Sequence, residues 1–145
     1  MPGITNPAEE YFKNGLWVWN GSTWVKCTEL WGAPAVLFDA VEDLTATAGT
    51  NNLNGAVVPT GEIWEVTHIA AWDATTAPGE VWLRVNHDAS YYTLERELTL
   101  GVDVTLSFTG SIWLDAGDYV MARFASCTLN DDIYLHTFGR KLKTG

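Results

Sequence analysis

Residues 57 to 72 read VVPTGEIWEVTHIAAW, in which a Pro59-Thr60-Gly61 turn leads into β-branched, aromatic and small side chains. Such a run predicts a central strand long enough to cross a whole sheet. Residues 80–86 alternate strictly, with Val81, Leu83 and Val85 on one face and Trp82, Arg84 and Asn86 on the other. A period of two means one buried face, so Trp82 is predicted to be exposed to solvent or a partner. Residues 102–108 alternate again, which predicts Val102, Val104, Leu106 and Phe108 inward. Shorter strands are predicted at 91–98, 112–114, 119–125 and 133–138. Turn residues mark their limits at His87–Ser90, Thr109–Ser111, Ala116–Asp118 and Asn130–Asp132. Residues 35–48 fit a strand better than a helix, because Thr45, Thr47, Gly49 and Thr50 close the run with strand and turn chemistry. The following GTNNLNG, Gly49 to Gly55, predicts a loop with Asn and Gly at positive φ and Leu53 plugging the core.

Ahead of these, GLWVWNGSTWVKC flanks Asn20-Gly21, a strong hairpin signal. A two-residue loop would set Trp17 opposite Trp24; a four-residue loop would set Trp19 there, and either register makes a tryptophan ladder. Four of the eight tryptophans, Trp17, Trp19, Trp24 and Trp31, fall in this region. An isolated hairpin is marginally stable, so that face needs cover from its own sandwich, another subunit or a stacked sugar. The predicted organisation is an extended arm over 1–10, a Trp-rich hairpin over 11–31, an antiparallel, jelly-roll-like β-sandwich over 32–139 and a basic tail over 140–145. Regularly spaced short strands without helices point to this all-β class.

Composition narrows the function. The formal net charge is −10, from 18 acidic and 8 basic residues. Phosphate neutralisation requires a concentrated basic surface, so nucleic acid is not an expected partner. Arg140, Lys141 and Lys143 crowd together near residue 145 and predict either a solvated tail or a tag for an acidic neighbour. No run reaches membrane-spanning length, and MPGITNPAEE has neither the basic start nor the apolar core of a signal peptide, so synthesis in the cytoplasm is expected. Cys27 and Cys127, the only cysteines, match no metal or redox spacing.

Candidate chemistry is sparse. His68, His87 and His136 fall on different segments without ligand spacing, and His68 reads as a core or interface histidine with one satisfied ring nitrogen. No nucleophile elbow, phosphate loop or dinucleotide motif occurs. Glu95 and Glu97 read as a solvated strand edge. Asp131-Asp132, even with Asn130, lacks the spaced acidic loop of a dedicated calcium site. The expectation is a protein without catalytic residues, cofactor or metal, whose Trp, Tyr, Thr and Asn serve assembly or recognition.

VPTGEIWEVTHIAAWDAT at 58–75, LSFTGSIWLDAGDYVMARF at 106–124 and NDDIYLHTFG at 130–139 resemble small β-sandwich virion proteins of tailed bacteriophages. The opening GLWVWNGSTWVK is similar to a Trp-rich hairpin of phage structural proteins. The resemblance implies a capsid decoration or accessory protein in the virion, usually a trimer, that binds like subunits and the major capsid or other virion proteins. The alternative is a carbohydrate-binding module of a tail or fibre that recognises a host surface glycan. Interface or ligand-contact candidates are Trp17, Trp19, Trp24, Trp31, Trp82, Arg140, Lys141 and Lys143.

Overall fold

A computed structural model describes residues 17–19, 22–26 and 35–144. The described residues form strands β1 (Trp17–Trp19), β2 (Trp24–Lys26), β3 (Ala35–Ala46), β4 (Gly49–Asn54) and β5 (Glu62–Asp73). Five more follow, β6 (Gly79–His87), β7 (Ser90–Leu100), β8 (Leu106–Leu114), β9 (Tyr119–Cys127) and β10 (Asp131–Lys143), with no helix among the described residues. Trp31 and Cys27 lie outside them, as do the N-terminal arm and most of the predicted hairpin. β1 and β2 pair antiparallel with Trp19 opposite Trp24, the register of the four-residue loop.

The remaining strands make two antiparallel sheets, ordered β3-β10-β5-β8 and β4-β9-β6-β7. The all-β sandwich expected from the alternation is therefore present. Its core is one apolar cluster contributed by both sheets, including Leu37, Val66, Ile69, Val81, Leu83, Val85, Phe124, Ile133 and Leu135. The long run at 57–72 becomes β5, an inner strand, and Val81, Leu83 and Val85 point inward from β6 as predicted.

Four segments depart from the sequence reading. GTNNLNG is a strand, β4, hydrogen-bonded to β9, although Leu53 is buried as expected. Only Gly49 has positive φ there. The Asn51 side chain instead accepts from the Thr47 amide (3.1 Å) and donates to the Thr47 (2.7 Å) and Gly49 (3.2 Å) carbonyls, closing the tight β3–β4 link. Second, Val102 and Val104 lie outside the core, each 49% exposed, because Asp103 adopts φ +55° and donates its amide to the Asp73 carbonyl (2.7 Å), which makes a turn. Third, Thr109–Ser111 does not turn. β8 runs through it, the pairing with β5 shifts register between Val66 and His68, and the Phe108 ring lies over Gly110.

The fourth correction concerns the basic end. Arg140, Lys141 and Lys143 are part of β10, which continues beside β5 to the pair Lys143–Glu62. Leu142 is buried, and the Lys141 ammonium sits 4.8 Å from the Trp64 ring centroid, so apolar contact holds the strand where charge alone would have left a solvated tail. The strand reaches this point only through Gly139, where pairing with β5 slips by one residue.

Candidate functional site

β10 presents Tyr134, His136 and Phe138 on the face opposite Ile133, Leu135 and Thr137, since successive side chains of a strand point to opposite sides. Its register with both neighbours sets Tyr134 beside Trp72 and Glu42, His136 beside Ala70 and Ala40, and Phe138 beside His68 and Phe38. The outer face of this sheet is therefore an aromatic strip. Trp72 and Tyr134 stack at 4.9 Å with their planes 11° apart, and His136 meets Trp72 edge-on at 4.8 Å. Phe138 contacts Phe38 at 5.1 Å and His68 at 5.8 Å. Ala40 and Ala70 keep the middle of the strip shallow. His68 Nδ1 lies 2.9 Å from Thr109 Oγ1, which gives it the single satisfied ring nitrogen expected.

The strip is incompletely covered. Phe38 is 56% exposed and Val36, farther along β3, is 84% exposed. Beyond Phe138, Arg140 ion-pairs with Glu65 and stands 6.0 Å from the ring of Trp113 on β8, itself half-exposed. Of the interface or ligand-contact candidates whose side chains are described, Arg140 belongs to this face, and it joins His68 and His136, which the sequence offered only as isolated histidines. Lys141 covers Trp64 at the end of the sandwich, and Lys143 is exposed opposite Glu62. Trp17, Trp19 and Trp24 are placed in β1 and β2, with only their backbone described.

Trp82 lies on the outer face of the other sheet, as its alternation predicts, but it is not bare. The guanidinium carbons of Arg84, Arg96 and Arg123 lie 3.6, 4.8 and 5.1 Å from its ring centroid. Its indole N–H donates to Glu80, which also pairs with Arg96. The indole bond and the Arg96 contacts hold the Glu80 carboxyl below the usual carboxylate range, whereas burial and the two neighbouring arginines push Arg84 down. The arginines thus occupy the ring that the sequence offered to a partner.

An open cleft of about 380 Å³ lies around the β7 and β8 edges, floored by Val85, Leu94, Ile112 and Leu114 and rimmed by Trp113, Tyr92, His87 and Asp118. His87 Nδ1 lies 2.9 Å from both carboxylate oxygens of Asp118. That hydrogen bond, then the charges of Asp118 and Asp88, raise the His87 pKa above its ordinary 6.5. A raised folded pKa makes the contribution full below pH 6.5 and removes it as pH climbs through the folded value. The melting temperature of the wild type should therefore exceed that of His87→Gln most below pH 6.5, and the gap should shrink at higher pH. Thermal melts across that range check this, and a gap constant with pH would contradict it.

The aromatic strip escapes a reading by local pattern because Tyr134, His136 and Phe138 alternate with equally apolar residues, so 133–138 shows a strand without showing which side is wet. The alternation itself was the available signal.

No protein-family model matches the chain, and a comparison with curated proteins returns no relative. Similar solved structures include the extra small virus particle of the giant freshwater prawn Macrobrachium rosenbergii, at 10% identity over 78% of this chain and 80% of that one, with TM-score 0.40. Eiger TNF from S. frugiperda matches at 14% identity over 74% and 93% of the respective chains, with TM-score 0.29. The N-terminal cellulose-binding domain of Cellulomonas fimi β-1,4-glucanase C matches at 20% identity over 76% and 78%, with TM-score 0.30. The tailed-phage resemblance has no counterpart among these three, and likeness at this level carries no function across.

Proposed function

We propose that this chain is a non-enzymatic assembly protein whose aromatic sheet face docks on another protein subunit. The observation that carries the proposal is the row Trp72, Tyr134, His136, Phe138 and Phe38 on an outer sheet surface. Aromatic anchors ringed by polar groups, here Glu42, Thr109, Glu65 and Arg140, are the usual composition of an interface centre and rim. Protein rather than glycan fits this strip because Trp72 and Tyr134 each have one ring face taken by the other, which reduces the flat surface a pyranose would stack on. The narrower role, a capsid decoration or accessory protein of a phage virion, trimeric and bound to the shell, rests on the sequence resemblance.

A second reading has its own observation. Trp113 is half-exposed beside a cleft that also offers Tyr92, Asp115, Asp118 and His87, the mixture of a ring face and hydrogen-bonding groups that a sugar requires. Sedimentation at micromolar concentration, alone and with shell protein, separates the readings. The wild type is expected to associate in one of these conditions, and Phe138→Asp to weaken association by about 30-fold or more, the size of a single hot spot, with its melting temperature unchanged. A wild type monomeric in both conditions would refute the assembly role. Saturable binding of host polysaccharide, lost in Trp113→Ala, would move the function to the cleft.

A further inference from the structure

At the end of the sandwich where β5, β9 and β10 meet, three buried ligand-type side chains converge. Asp73, Cys127 and Asp131 are 0%, 5% and 1% exposed, and their ligand atoms lie within 4.8 Å of one another. Each carboxylate has one oxygen fixed by the fold. Asp73 Oδ1 accepts from the amides of Thr75 (2.9 Å) and Thr76 (3.0 Å). Asp131 Oδ2 accepts from the Thr76 hydroxyl (2.7 Å) and the Thr128 amide (2.5 Å). The other two oxygens, Asp73 Oδ2 and Asp131 Oδ1, are cut off from solvent and have no hydrogen-bond partner. No ion pair to Lys, Arg or His reaches either aspartate among the described residues.

Buried carboxylate oxygens in this state are strongly destabilising unless a cation or proton neutralises them. We propose that Asp73, Cys127 and Asp131 form a structural binding site for a divalent transition-metal ion of the zinc class. Two carboxylate oxygens and a sulfur, gathered in a space of this size, suit the small coordination number and borderline softness of zinc. Calcium and magnesium are disfavoured, since they require oxygen ligands, more of them, and for magnesium retained water. The anchored oxygens, meanwhile, are the outer contacts that orient a one-oxygen carboxylate ligand. Thr76 has a special place, because its amide holds Asp73 and its hydroxyl holds Asp131. The site would tie β5 to β9 and β10 at the end remote from Lys143.

The competing state is one proton shared between the two aspartates, and the experiment distinguishes them. The full chain is unfolded and refolded under reducing conditions with Co²⁺ or Zn²⁺ alone, in a Cys27→Ser background so that the second thiol contributes nothing. Expected results are about one metal per chain, a sulfur-to-cobalt charge-transfer band with the visible bands of a four-coordinate ion, and a melting temperature that zinc raises and chelator lowers. Cys127→Ser should lose the charge-transfer band, and Asp73→Asn should lose uptake. Thr76→Val, which removes only an outer contact, should weaken affinity by about 10- to 100-fold. A refolded wild type that takes up no metal, with Asp73→Asn melting at or above it, would overturn the proposal, because an amide there can replace the shared proton. Should the ligand variants fail to fold, wild-type stoichiometry and the cobalt spectrum still decide: a bound ion without the sulfur band is equally fatal.

Discussion

Gly139→Ala is expected to lower the unfolding midpoint by roughly 10 °C, from a loss of about 3 kcal/mol or more. A β-carbon at Gly139 would lie 1.9 Å from the Glu65 carbonyl oxygen, 2.9 Å from its carbon and 3.0 Å from the Val66 Cα. All three are backbone atoms of β5, so no side chain can swing aside. Relief requires β5 and β10 to separate where their pairing already slips by one residue, and both are inner strands of the sheet. The aromatic strip lies on one side of this point and Lys141, Leu142 and Trp64 on the other, so damage here should spread to both. Gly101→Ala is the control. Its β-carbon would meet only Val104 Cγ2, at 3.3 Å, and Val104 is half-exposed and free to move. Thermal and urea unfolding of the pair should show a large loss for Gly139→Ala and a change within about 0.5 kcal/mol for Gly101→Ala; equal midpoints would show that the bulge yields.

The second large effect belongs to Phe124. It is fully buried, heads the largest enclosed side chains, and sits on β9 between Asn51 of β4 and Val81 of β6. Truncation to alanine removes a ring's worth of transfer free energy and leaves a cavity that two flanking strands keep open. The expected cost is about 3–5 kcal/mol, a large part of the stability of a domain of this size. Phe124→Leu should recover much of it. Urea denaturation gives the comparison, with an unchanged slope if the native state stays compact. A loss below about 1 kcal/mol for Phe124→Ala would mean that the core can collapse around the hole. The contrast with Phe138→Asp is instructive, because the same residue type on an outer face should leave folding intact and alter only association.

How far these roles were legible in the sequence varies with the partner each residue meets. Val81, Leu83 and Val85 alternate with Trp82 and Arg84, and one polar face against one apolar face fixes the side of the sheet. Val102 and Val104 give the same signal and fail, because Asp103 takes a left-handed conformation that no periodicity records. Asn51 and Asn52 look like loop residues until the Asn51 side chain is seen replacing a backbone turn. At the candidate face, Phe38, Trp72 and Phe138 come from three strands, and only the β10 register brings them together. Asp73, Cys127 and Asp131 are hidden for the same reason: their spacing along the chain resembles no ligand motif, and the convergence belongs to the way the strands end. Trp82 was correctly placed on an outer face, yet the three arginines that cover it come from three strands and could not be counted beforehand.

The strand order β3-β10-β5-β8 also constrains the timing of biosynthesis. β3 pairs with β10 and with no other described strand, so it stays unpaired while six intervening strands are synthesised. At about 5–20 residues per second, that leaves residues 35–46 waiting on the ribosome for several seconds with Val36, Leu37, Phe38 and Val41 unshielded. The other sheet, β4-β9-β6-β7, has all its partners by Cys127 and can close first, offering half a core as a template. The nascent chain would then be completed by insertion, with β10 sliding between β3 and β5 once residue 143 clears the exit tunnel. A polypeptide stalled before Asp131 would hold the β3 and β5 edges without their common partner, open to pairing with another unfinished copy.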